Sequence, residues 1–194
     1  MKSTQLMSLG LVALAAAACG GGAAQLATTK QAPPTANTAN SVSAGTSTGS
    51  ATACATRDLS VRLGHAGGAS GSVYEPIVFT NTGSATCTLD GYPGVSFVAP
   101  QSGAQVGAAA ARNRQHPSAS VSLSPGASAS AMLQIANHAN FDAASCKPAT
   151  VSGLRVYPPG ATAAAYVAFA ARQQACSTDV PQLTVEAVVS GTSG

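Results

Sequence analysis

The chain has 194 residues, and only 15 of them are charged, nine Lys or Arg against six Asp or Glu. A formal charge of +3 spread over that length is no basic field, which excludes a nucleic-acid binder held by phosphate contacts. Helical bundles and coiled coils are excluded as well, since their wet faces need the Glu, Lys and Arg that are scarce here, and 42 residues are alanine.

At the start of the chain, Met1-Lys2 precede an apolar stretch from Leu6 to Ala18, and Cys19-Gly20-Gly21-Gly22 follow it. The stretch is too short to cross about 30 Å of hydrocarbon as a helix. A basic start, an apolar middle and small residues at the end predict a signal peptide over residues 1–18. Cys19 directly after the small residues resembles a bacterial lipobox, although Ala16 stands where such motifs usually carry Leu. On this reading the Cys19 thiol is acylated, and the lipid holds the chain at the outer face of the cell membrane. Two acyl chains make such anchoring stable. The alternative is cleavage after Ala16-Ala17-Ala18, which releases a free secreted protein.

Residues 19–53 read as a flexible tether. From residue 20 onward the only charge is Lys30, the only large aliphatics are Leu26 and Val42, and eleven residues are Ser or Thr. Such a segment buries too little apolar surface to offset its ordering entropy. Gly45-Thr46-Ser47-Thr48-Gly49 matches a hydrolase G-x-S-x-G by letter. It lacks the strand before and the helix after that a nucleophile elbow requires.

From Cys54 the pattern changes to strands. Leu59, Val61 and Leu63 alternate with Ser60 and Arg62, the period of a half-buried strand. Further β-rich runs are Ile77 to Phe79, Val95 to Phe97, Val121 to Leu123 and Ala131 to Ile135. Leu154 to Tyr157, Tyr166 to Phe169 and Leu183 to Val189 complete the series. Turn residues separate the runs, so residues 54–190 are expected to form one antiparallel β-sandwich of about eight strands. The one helix-like stretch is Ala108 to Arg112. Large apolar residues are few: Leu, Ile, Val and Phe number 34 in the whole chain. Disulfides are therefore expected to compensate for a thin core.

Assigning Cys19 to lipid leaves four cysteines: Cys54, Cys87, Cys146 and Cys176. In an exported domain two disulfides are the natural reading. Four cysteines allow three pairings, of which the sequential one, Cys54–Cys87 with Cys146–Cys176, is preferred. Zinc is the rival use of four cysteines, but the chain has no C-x-x-C pair. No metal and no cofactor are expected.

One set of blocks is distinctive: Tyr74, Ile77 to Gly83, and Cys87-Thr88-Leu89-Asp90-Gly91-Tyr92-Pro93-Gly94-Val95. It continues with Leu123-Ser124-Pro125-Gly126, Cys146 and Leu154-Arg155-Val156-Tyr157-Pro158-Pro159-Gly160. In order and spacing they resemble the actinobacterial family called domain of unknown function 4232, over Cys54 to Val189. The resemblance implies a secreted or lipid-anchored envelope domain with an immunoglobulin-like β-sandwich and no established activity. It also implies that all four domain cysteines fall at family positions. It brings no catalytic residues.

Three places carry candidate chemistry. Arg112 and Arg114 lie in the one locally basic cluster, Arg112-Asn113-Arg114-Gln115-His116, and are candidate contacts for an anionic glycan or head group. The plainer reading is a solvated loop that keeps an Ala-rich surface wet. Tyr92, in the turn Gly91-Tyr92-Pro93-Gly94, is a candidate ligand contact. The plainer reading is a plug with its hydroxyl on a backbone carbonyl. His138 and Asp142 are spaced for one helical turn, with no third metal ligand near them in sequence. Asn81 is expected to bond the backbone of its own turn.

No catalytic set emerges. The expected function is that of a non-enzymatic cell-envelope lipoprotein that binds an envelope polymer or an exported protein. One alternative is a passive spacer or coat component without a ligand. Another is a wall-active hydrolase, which predicts a cleft holding a perturbed His or carboxylate.

Overall fold

The computed structural model describes residues 52–194. The expected signal peptide, Cys19 and the tether up to residue 51 lie outside the described residues.

In chain order the strands are β1 (Leu59–Leu63), β2 (Gly67–Ala69), β3 (Ser72–Asn81), β4 (Cys87–Asp90) and β5 (Gly94–Val98). Next come β6 (Gln105–Val106), β7 (Ala111–Arg112), β8 (Ser120–Leu123) and β9 (Ser128–Ala136). A one-turn helix, α1 (Ala143–Cys146), precedes β10 (Pro148–Tyr157), β11 (Ala165–Cys176), β12 (Leu183–Val185) and β13 (Val189–Ser190).

The fold is all-β and sandwich-like. One sheet runs β1-β3-β9-β12-β7, with β2 also on β3 and β13 also on β9. A second sheet runs β11-β10-β5-β6, and β4 pairs with β8 in a third, small one. The named strands pair antiparallel except β12 and β7, which run parallel, as does the isolated bridge between Ala53 and Thr88.

The long β3–β9 pair is the spine of the first sheet, with Ile77 opposite Ala131, Phe79 opposite Ala129 and Glu75 opposite Leu133. Successive side chains point to opposite faces, so Val73, Glu75, Ile77 and Phe79 share one face of β3. Ile77, Phe79 and Leu133 on that side join Phe97, Leu154, Val156 and Leu183 in a single buried core. Small side chains in it, Ala129 and Ala131 among them, are fully buried, so the sheets close on alanine where larger residues are scarce.

The cysteines pair sequentially, Cys54 with Cys87 and Cys146 with Cys176. The first ties the entry of the chain to β4, and the second ties α1 to the end of β11. Backbone pairing begins slightly before the expected boundary: Thr88 N–H donates to the Thr52 carbonyl, and Cys54 N–H to the Thr88 carbonyl.

The structure differs from the sequence reading locally: the run Leu183 to Val189 is split into β12 and β13, and the helix lies elsewhere. Ala108 to Arg112 contains no helix; Ala111–Arg112 is β7. The flanking donors are drawn into the sheets, Ala110 N–H to the Val95 carbonyl and Asn113 N–H to the Val185 carbonyl. The helix lies instead at Ala143–Cys146, capped by Asp142 and ended by Lys147 in the left-handed region at φ 47°. Asp142 Oδ1 accepts from Ala144 and Ser145 N–H, each at 3.1 Å. Its spacing from His138 is therefore explained by capping.

Candidate functional site

Two surfaces carry the chemistry, and one of them was marked by the sequence. The β4–β5 turn presents Tyr92, and β7 brings Arg112 to it. The Arg112 guanidinium carbon lies 5.9 Å from the centroid of the Tyr92 ring, a cation–π contact. The Tyr92 hydroxyl donates to the His116 carbonyl at 3.3 Å. Tyr92 is half-buried and Arg112 exposed. The structure thus brings two of the three expected ligand contacts together and spends both the ring and the hydroxyl of Tyr92 internally, as a plug would. Arg114 is exposed and has no hydrogen bond or ion pair among the described residues.

Asn81 is deeply buried at 1% exposure. Its Nδ2 donates to the carbonyls of Ala85 at 2.8 Å and Leu123 at 2.9 Å, and its Oδ1 accepts from Gly83 N–H at 2.9 Å. It knits its own turn, as expected, and also ties that turn to the end of β8. Among the described residues no three His, Cys, Asp or Glu side chains cluster as metal ligands.

The second surface is a cleft of about 610 Å³ between β1, at the edge of one sheet, and β11, at the edge of the other. Val61, Arg62 and Leu63 border it on the β1 side, and Tyr166 to Ala170 on the β11 side. A cleft lying over the face of a strand would meet every second residue. Consecutive residues on both sides mean that it runs along the two free edges. Val73 and Ile135 face it from β3 and β9. Val73 is 42% exposed and Tyr166 59%.

Within this apolar setting lies one carboxylate, Glu75. It follows Val73 and precedes Ile77 on the inward register of β3 and is half-buried. No hydrogen bond or ion pair satisfies it among the described residues. Burial pushes its carboxyl above the ordinary value. Arg62 is the one cation bordering the cleft, yet the ion pair found among the described residues is Arg57–Asp58, an exposed one.

The shape of the cleft comes from an irregularity in the β10–β11 ladder. Val151 pairs with Gln173 and Gly153 with Ala168, so Phe169 to Arg172 all stand against Ser152 alone. This bulge bends β11. The Phe169 ring ends 6.2 Å from the Phe97 ring, anchoring the wall to the core. The Tyr166 hydroxyl donates to the Ser152 carbonyl at 3.1 Å, which holds its ring over Gly153 of β10.

Residues 54–189 match the family described as a domain of unknown function (DUF4232). The chain belongs to that family. No curated protein and no solved structure matches it.

In this DUF4232 domain the sequence pattern does not mark Glu75, because the β-rich run begins at Ile77 whereas β3 begins at Ser72. Carrying the alternation of Ile77 and Phe79 back one step places Glu75 on the inward face, where a charge is unexpected. That mismatch was the available signal. Chemically, the cleft offers apolar walls, the backbone edges of two strands, one cation, Arg62, and one carboxylate without a partner. Glu75 is the sole acidic residue bordering it, and no His, Ser, Thr or Cys does.

Proposed function

We propose that this protein is an exported cell-envelope lipoprotein, anchored through an acyl group on Cys19, whose β domain is a non-enzymatic binding module. Its ligand is an envelope polymer or another exported protein, held in the cleft between β1 and β11. The observation that carries this reading is the cleft itself, with exposed apolar walls around an unpaired carboxylate. Its volume falls in the range of about 300–1,000 Å³ typical of ligand sites. The two disulfides support an oxidising, exported location.

The test is expression of the full chain in an actinobacterial host, with detergent phase partitioning and a pull-down from the cell envelope. The detergent phase should hold the wild type and lose Cys19→Ser. The wild type should retain envelope material that a cleft-filling Val73→Trp variant releases. Recovery of nothing beyond a tethered control domain sinks the binding-module reading.

A wall-active hydrolase is the second reading, and one observation favours it: the cleft does hold a perturbed carboxylate. Glycoside hydrolysis commonly pairs two carboxyl groups about 5–9.5 Å apart, and Glu75 has no acidic partner bordering the cleft. Release of new reducing ends from wall polysaccharide by wild type, lost in Glu75→Gln, would establish the enzyme instead.

A further inference from the structure

We propose that the cleft between β1 and β11 receives a short extended polypeptide segment of an exported partner, which adds along the free edge of β11 and presents a Lys or Arg side chain to Glu75. This deepens the binding-module reading and rests on it.

Three observations point to that occupant. First, the cleft follows strand edges. Tyr166 to Ala168 border it in unbroken succession, and over Ala165 to Ala168 the strand keeps regular register with Val156 to Gly153 of β10. β11 ends its sheet, so its outer edge has no hydrogen-bonded partner strand among the described residues. Strand addition takes its affinity from the N–H and C=O groups of such an edge and its specificity from alternate side chains. Beyond Ala168 the bulge interrupts the ladder, which limits the added strand to a short one.

Second, Glu75 makes no ion pair, although Arg62 borders the same cleft. Glu75 sits on the inward register with apolar neighbours Val73 and Ile77 and has no partner among the described residues. A carboxylate so placed attracts a cation that arrives with an apolar stem, and Lys and Arg side chains have that form.

Third, the walls fit the stem. Val73, 42% exposed, stands beside Glu75 on the same face of β3, and Val167 and Phe169 border the cleft from β11. A free alkylammonium would satisfy Glu75 but would leave the strand edge unused; a polypeptide satisfies both.

The experiment uses the full chain with Cys19→Ser for solubility, and acetylated, amidated peptides of alternating Val and Ala around a central Lys. The comparison peptides carry Gln at the centre, or N-methyl groups on alternate backbone nitrogens, and n-butylammonium serves as the small-molecule probe. Titration calorimetry should show the Lys peptide binding about tenfold or more tightly than the Gln peptide. That preference should vanish in Glu75→Gln, and the N-methylated peptide should lose binding. Equal binding of the Lys and Gln peptides overturns the proposal, as does a Lys preference that survives Glu75→Gln. Butylammonium binding as tightly as the Lys peptide, with the same dependence on Glu75, overturns the polypeptide in favour of a small amine. The envelope pull-down separates the two levels. Material retained equally by wild type and Glu75→Gln leaves a binding module with a different ligand, whereas no retained material removes the module itself.

Discussion

Glu75 on β3 stands directly across the ladder from Leu133 on β9, so an unpaired carboxylate and a fully buried leucine occupy matching places on one sheet. Apolar residues continue the same rows on β3 and β9 toward the core. The row on β3 carries a charge only at the end where the two sheets part.

The position has a cost that depends on pH. Burial raises the Glu75 carboxyl above its ordinary value of 4.5. The folded state then holds its proton more tightly than the unfolded state does, so its contribution favours folding at low pH. That contribution is lost as pH climbs from the ordinary carboxylate range through the raised folded value. Glu75→Gln should therefore be more stable than wild type at neutral pH, with the gap closing in acid. Denaturant unfolding at several pH values measures it; a gap that widens in acid would contradict the burial of Glu75. A more stable variant that binds worse is the trade expected of a binding site.

The disulfides make a second prediction. Cys54–Cys87 and Cys146–Cys176 span sequence separations of 33 and 30. Loops of that size correspond to about 3–4 kcal/mol each on the chain-entropy model. Cys87→Ser and Cys176→Ser should each lose several kcal/mol, read as a lower denaturation midpoint, and double loss should abolish folding at 37 °C. Two variants that melt like wild type would show that the core stands without them.

Much of the β architecture was legible from two-residue alternation and turn residues. Leu59 to Leu63 reads as β1 with its bounds intact, and the runs at Val121 and Ala131 fall inside β8 and β9. What escaped were pieces defined by partners far along the chain. β2 is Gly67–Ala69 and has no apolar pattern at all; it exists because β3 offers an edge. β7 forms because β12 lies alongside. The cleft was illegible for the same reason, since sequence does not say which strand edges are left free or that β1 and β11 end their sheets side by side. Glu75 was half legible, as a charge in an inward register. Tyr92 was legible as a turn aromatic, but its contact with Arg112 joins elements that only the folded chain brings together.

Asn81 supports a third prediction. It satisfies two carbonyls and one N–H from a site 1% exposed. Asn81→Ala strands three backbone groups and should cost about 2–4 kcal/mol. Asn81→Asp should cost at least as much, because its carboxylate would face the Ala85 and Leu123 carbonyls with no proton to donate. A thermal melt of the two variants checks this, and an unchanged midpoint for Asn81→Asp would mean that the side chain turns away at little cost.

Gly153 links the fold to the cleft and gives the last prediction. It sits where the β10–β11 ladder shifts register. A Cβ built there would lie 2.3 Å from the Val167 carbonyl oxygen and 2.8 Å from Tyr166 Cε2. The first contact is with backbone and cannot be relieved by a rotamer change, so Gly153→Ala must push β11 outward. Tyr166 and Val167 move with it, and both border the cleft. The variant should lose about 1–3 kcal/mol, as overpacked cores do. It should also lose ligand retention in the envelope pull-down, while Gly67→Ala, at a position with open space around it and no left-handed backbone, should keep it. Retention that survives Gly153→Ala, with stability lowered as expected, would separate the bulge from the binding surface and place the ligand elsewhere on the domain.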